Sequence, residues 1–292
     1  MAVPTDADST DLLLEGDPTS SDERSGSSLH LSAEEIADAR AALDQRLRVV
    51  HDELLGAPDE DADIFALLDA LLAHLIETRD PRVAWIVLVC VSTVLPRIGD
   101  VEALVRRVAT YDVLETRFWL LGHVLPSARE RGLLHLRMRL AVRTTVVDVS
   151  FSATDEHNTG IQRVVRRTLP HWLDSHEVVP VAWTSFSGSL RSLSDREVHR
   201  LLEWNSARVG DEHSPATELV VPWDSTVVLA EVPSRASMCD PLAALGRYSG
   251  NRLTLIGYDA IPIVSAETVP IDMSDHFAKY LSVVKWAGSV AA

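Results

Sequence analysis

Three short stretches hold residue types that can do chemistry. Asp259 ends the run "RLTLIGYD" and opens "DAIPI". A carboxylate at the end of a strand can orient a hydroxyl or take its proton. The same residue also suits a turn or cap ahead of Pro262. Glu231 ends the run "STVVLAEV" and is a candidate of the same kind, or a side chain that simply faces solvent. The third stretch is "HNTGIQRVVRR", residues 157–167, in which Thr159, Gly160, Ile161 and Arg163 follow a short apolar run.

That third stretch reads as the start of a helix. Thr159 and Gln162 form a T-x-x-Q capping box. Ile161, Val164, Val165, Thr168, Leu169 and Trp172 share one helical face, and Arg163, Arg166 and Arg167 fall away from it. Free backbone N–H groups and the helix dipole favour an anion at such a start. Gly160 leaves room for a ligand to approach. The same letters also make a plain, well-capped structural helix. The pattern is not G-x-G-x-x-G, so it carries no dinucleotide fingerprint.

The elements that must position these residues alternate. "TTVVDVSF" (144–151), "VVPVAWTS" (178–185), "STVVLAEV" (225–232) and "RLTLIGYD" (252–259) read as buried parallel strands. Helices are expected between them, near 160–173, 195–204, 241–248 and 274–288, and "SVAA" (289–292) reads as the first residues of another strand. Strands alternating with helices imply an α/β fold, a Rossmann-like parallel sheet covered on both faces. Ligands in such sheets bind at the carboxyl ends of the strands.

Upstream, residues 31–142 read as an all-helical region. Ser32 and Glu35 form a capping box, with Leu31 and Ile36 as its hydrophobic staple. Asp80-Pro81 starts a further helix, Asp100 another, and helical pattern is expected to run to about residue 140. The most apolar run, 83–95, is too short to span a membrane and reads as a core helix, so no transmembrane segment is expected. Residues 1–30 are acidic and rich in Ser, Thr, Gly and Pro, and read as a disordered tail. The expected organisation is therefore 1–30 tail, 31–142 helical region, 143–292 α/β domain.

Bulk properties exclude some functions. A net charge of −16 argues against a general nucleic-acid binder, which needs a clustered positive surface. Cys90 and Cys239 are far apart with no C-x-x-C, so two reduced structural thiols are expected rather than a metal or redox centre. The N-terminus has no basic segment ahead of an apolar one, so no secretory signal is expected. Asp61-Ala62-Asp63 reads as a helix cap rather than a metal-binding D-x-D. "SFSGS" (185–189) is not a nucleophile elbow.

"VVDVSF…NTGIQRVVR", "YDAIPI" and "FAKYLSVVKWAGSVAA", in this order, resemble the N-terminal half of a bacterial GT-B glycosyltransferase, closest to the retaining sugar transferases that build surface polysaccharides. The resemblance covers about residues 144–292. It implies an acceptor-side domain that transfers a sugar from a nucleotide-sugar donor to a glycan or lipid-linked acceptor, with no metal and no cofactor. Thr159, Gly160, Ile161 and Arg163 match the loop facing the cleft of that family, and Asp259, Ile261 and Pro262 match its second segment. Tyr258 stands where the family often has histidine. The family's donor-binding half would begin where residue 292 ends the chain, so the resemblance implies a truncated or split enzyme, with a separate chain as one source of the donor half. It also implies a cytoplasmic protein, or one held at the inner membrane face. The competing expectation is a non-catalytic interaction protein that uses residues 31–142 as a partner-binding module.

Overall fold

The computed structural model describes residues 32–155, 158–204, 218–233, 235–258, 264 and 271–291. The acidic tail expected at 1–30, together with Asp259, Ile261 and Pro262, lies outside the described residues. The chain is α/β, with one mixed, mostly parallel sheet of eight strands in the order β1-β5-β4-β3-β2-β6-β7-β8.

Five helices come first: α1 (Ala33–Leu55), α2 (Ile64–Thr78), α3 (Pro81–Ser92), α4 (Ile98–Val108) and α5 (Val113–Arg131). Their starts follow from their caps. The Ser32–Glu35 box opens α1, Asp63 accepts from the Phe65 and Ala66 amides at α2, and Asp80 with Pro81 opens α3. Ile36 is exposed, and its expected staple partner Leu31 lies outside the described residues. The apolar run at 83–95 forms α3, whose residues from Val83 to Ser92 are all buried. No helix among the described residues is long and apolar enough to cross a membrane.

Helical pattern was expected to reach residue 140, but β1 (Arg137–Val142) is a strand. Exposed Arg137 and Arg139 flank buried Met138, as a period of two requires, and further along the strand Ala141 is buried too. Pairing with β5 (Glu218–Trp223) overrides the helical propensity of its Arg, Met, Leu and Ala. β1 leads through two residues into β2 (Thr145–Asp148), and β5 leads through two into β6 (Thr226–Leu229). The two pairs bend together: Arg143 (φ 49°) and Asp224 (φ 50°) both turn left-handed, and Ser225 Oγ donates to Ala141 O while accepting from the Thr144 amide.

After β2, the run 144–151 does not stay extended. Ser150–Thr154 is the short helix α6, followed by α7 (Gly160–Ser175) and β3 (Val178–Trp183). β4 (Leu190–Arg191) is antiparallel to both β3 and β5. Then come α8 (Asp195–Leu202), β5, β6, a short 3-10 turn, α9 (Cys239–Tyr248), β7 (Arg252–Ile256), α10 (Ile271–Val284) and β8 (Ser289–Ala291).

Helices cover both faces. Val147, Val149, Ala153, Val165, Leu169 and Leu201 form a smaller core under α6, α7 and α8. The larger core runs from Leu47 of α1 through α3 and the sheet to Val283 of α10, so the N-terminal helices and the sheet share one interior. Cys90 and Cys239 are buried free thiols within it. Burial pushes them to about 12 and about 11, which leaves them unreactive.

Gly132 marks where α3 and α5 meet. A Cβ there would lie 2.5 Å from Ala128 O and 2.8 Å from Ser92 O, both backbone atoms. Gly132→Ala is therefore expected to lower stability by about 1–3 kcal/mol, the usual range for overpacking. Urea denaturation checks this; an unchanged midpoint would show that the two helices can part freely.

Candidate functional site

The strands β2 and β6 pair in parallel, Asp148 opposite Leu229. From β2 the chain crosses by α7 to β3, on one side; from β6 it crosses by α9 to β7, on the other. The carboxyl ends of β2 and β6 thus flank a point where the crossovers diverge, the place where open α/β sheets form a ligand crevice.

Two buried carboxylates sit there. Asp148 ends β2 and is 6% exposed; Glu231 lies two residues past β6 and is 7% exposed. Both hold the first turn of α6. Asp148 Oδ1 accepts from the Ser150 amide at 3.0 Å, and Oδ2 accepts from Trp183 Nε1 at 3.0 Å. Glu231 Oε2 accepts from the Phe151 amide at 2.7 Å, Oε1 from the Ser152 amide at 2.8 Å, and Ser152 Oγ donates to Oε1 as well. Glu231 therefore does not face solvent. Its carboxylate lies on the free amides of a helix start, where negative charge is favoured.

The opposite end of α6 is met by cations. Arg166 donates from Nη2 to Ser152 O at 2.9 Å and Asp155 O at 3.0 Å, and from Nη1 to Asn158 Oδ1 at 3.2 Å. Arg200 donates to Ala153 O at 2.7 Å and Thr154 O at 3.0 Å. Arg166 is 4% exposed. The helical wheel placed it away from the apolar face, but α7 buries Arg166 and leaves Val164 exposed. The physical reason is the set of carbonyls that α6 and the segment after it turn toward α7.

Burial raises both acids. Glu231 is pushed up to about 7, mainly by burial, with the charge of Asp148 adding and Ser152 opposing. Asp148 is raised by burial, against hydrogen bonds from Ser150 and Trp183. Burial lowers Arg166, while the charge of Glu231 raises it. A carboxyl that titrates near neutrality can give or take a proton at working pH.

The other sequence candidates fall around this pair. Thr159 and Gln162 make the expected capping box, and the Thr159 amide donates to Gln162 Oε1 at 2.7 Å. Gln162 is fully buried, whereas Thr159, Gly160 and Arg163 are exposed and Ile161 is half-buried. Arg166, through Asn158 and Ser152, joins the segment just before α7 to the turn that holds Glu231. Tyr258, just past β7, donates to Ala230 O at 2.7 Å, and is raised to about 12 by burial and by Glu231. Glu231, Tyr258 and the start of α7 thus belong to one edge, while Asp259 lies outside the described residues. Sequence reading missed Asp148, Ser152 and Arg166. The signal for Asp148 was present: it is the one charged residue inside "TTVVDVSF".

Gly160 has no local cause. Its backbone is not left-handed, and among the described residues a Cβ there would meet nothing within 4 Å. An open groove of about 820 Å³ lies at the opposite, amino edge. Its Arg143 and Arg252 stand against Glu177 and Asp224, so it offers no net charge to a ligand. No family model, no curated protein and no solved structure matches this chain.

Proposed function

We propose that the chain is the Rossmann-like, acceptor-side half of a retaining GT-B glycosyltransferase. A nucleotide sugar and a glycan or lipid-linked acceptor are its substrates. The donor half comes from further sequence or from a second chain. The observation that carries this reading is Gly160: an exposed glycine at the capped start of α7, on the carboxyl edge, which neither backbone nor packing among the described residues requires. Alanine would be the better helix former there, so the space serves something outside the described residues. The order of the T-G-I-x-R, Y-D-A-I-P and F-x-x-Y segments supports the same reading.

In this scheme the α7 amides and Arg163 face a sugar or phosphate oxygen. Tyr258 and Asp259 approach the acceptor hydroxyl, and Asp259 orients it. Glu231, with Asp148 behind it, fixes the turn that presents this edge. The hydroxyl attacks the anomeric carbon on the face from which the nucleoside diphosphate leaves and passes its proton to the departing phosphate oxygen, and oriented donors stabilise the departing charge.

The test uses the protein together with its donor half. Release of nucleoside diphosphate is measured over a panel of UDP-, GDP- and dTDP-sugars, with and without acceptor extracts. Gly160→Val is expected to cut turnover by about 100-fold, as loss of a positioned approach does, with the melting temperature unchanged. No release and no thermal shift with any donor would sink the transferase reading. Full turnover in Gly160→Val would sink the ligand-loop assignment alone.

A further inference from the structure

Among the described residues three arginines are buried: Arg46, Arg131 and Arg166. Arg46 donates to three backbone carbonyls, and Arg166 to two carbonyls and Asn158. Arg131, in the last turn of α5 and 9% exposed, differs from both. Its Nε and Nη1 are shut off from solvent, and among the described residues neither has a hydrogen-bond partner. Burial lowers its pKa and the charge of Arg97 adds to this, while Glu130 and Asp100 oppose it through charge alone. A buried guanidinium without a partner is costly, and native folds rarely keep one.

Arg131 lines a cavity of about 20 Å³ between the end of α3, the first turn of α4 and α5, with Ser92, Asp100, His123 and Ser127 also in its wall. His123 Nε2 is a further buried atom there without a hydrogen-bond partner. It lies 3.3 Å from Asp100 Oδ1, outside hydrogen-bonding geometry. Other polar atoms of the wall are engaged. Asp100 Oδ2 accepts from the Arg97 amide at 2.9 Å. Ser92 Oγ donates to Leu88 O at 2.7 Å and accepts from the Val94 amide at 3.1 Å, and Ser127 Oγ donates to Val124 O at 3.0 Å. The cavity therefore has donors to spare, beside a cation with no ion-pair partner among the described residues.

We propose that this cavity binds one chloride-sized monovalent anion against Arg131, which ties α4 and α5 to the end of α3. A halide only accepts hydrogen bonds, and it supplies the charge that the guanidinium lacks. The volume suits one small occupant and is too little for a phosphate. The inference is independent of the transferase reading.

Thermal melts of the whole chain at constant ionic strength, with sodium chloride replacing sodium gluconate, test it. A saturable rise in melting temperature of about 5 °C is expected as chloride goes from about 1 to 100 mM. Arg131→Met is expected to lose this response, with a melting temperature in gluconate no lower than the parent's, because the unpaired charge is gone. Chlorine NMR on the unaltered chain reads the site without any substitution: a chloride line broadened by the protein and narrowed again by bromide is expected. Equal melting in the two salts, an unbroadened line, or a chloride response that survives Arg131→Met overturns the proposal and leaves the cavity to water.

Discussion

Replacing Arg46 by methionine is expected to cost about 3–5 kcal/mol of stability, a loss on the order of 10 °C in melting temperature for a chain of this size. Arg46 is 1% exposed in the middle of α1. Its Nε donates to Cys90 O at 2.8 Å, and its Nη1 to Leu134 O at 2.8 Å and Leu136 O at 2.6 Å. Burial lowers its pKa, yet among the described residues no carboxylate pairs with it. The charge is held by carbonyls alone. Cys90 lies in the last turn of α3, where carbonyls lack a helical partner and the dipole is negative. Leu134 and Leu136 lead into β1. One guanidinium therefore joins α1, α3 and the edge of the sheet. Methionine fills similar space but leaves three buried acceptors unpaired, each costing about 1–3 kcal/mol. Arg46→Lys is expected to recover only part, because a single ammonium nitrogen cannot occupy both the Nε and the Nη1 positions that the three carbonyls meet. Urea denaturation of the three proteins measures both effects. A methionine variant within about 1 kcal/mol of the parent would mean that the carbonyls find water instead.

Arg46 was not legible in the sequence, and neither was the pairing of Arg166 with α6. A helical wheel sorts residues by polarity, and both arginines are polar residues that tertiary carbonyls draw inward. What was legible is local. Ser32 with Glu35, Asp80 ahead of Pro81, and Thr159 with Gln162 name three helix starts through bonds that span two or three residues. The strands at 226–229, 252–256 and 289–291 follow from β-branched, apolar runs between turn residues. β1 was misread because its letters favour a helix, although its first half, "RMRL", alternates as a strand does. β5 was missed because its "ELVVPW" contains Pro222, which counts against a central strand. The parallel ladder tolerates it there because β1 and β5 pair across Ala141 and Pro222 near the bend.

The candidate site divides in the same way. The start of α7 could be read from four consecutive letters. The Asp148–Glu231 pair could not, because 82 residues of chain separate its members and only the β2–β6 ladder brings them together. A buried carboxylate at a strand end and an exposed one look alike in sequence. Only the amides of α6 distinguish them.

The proton on Glu231 gives that pair its own signature. Burial lifts its folded-state pKa from the ordinary 4.5 to about 7. Between these values the unfolded chain has released the proton and the folded chain has kept it. Stability must therefore fall as pH rises through this window, and level off above it. Glu231→Gln mimics the protonated form and does not titrate. The stability difference, parent minus Glu231→Gln, is thus expected to drop by about 3 kcal/mol between pH 4 and pH 8, at ~1.4 kcal/mol per pH unit. Asp148 is raised in the same sense and its charge acts on Glu231, so the drop reports the coupled pair. Glu231→Ala removes the acceptor altogether and leaves the Phe151 and Ser152 amides unpaired, costing about 2–5 kcal/mol at every pH. Urea midpoints at half-unit pH steps decide the matter. A difference that rises with pH would mean that the two amides and Ser152 outweigh burial and hold Glu231 ionised. It would then serve as a fixed anchor for α6, and any proton transfer at this edge would have to come from Tyr258, Asp259 or the substrate itself.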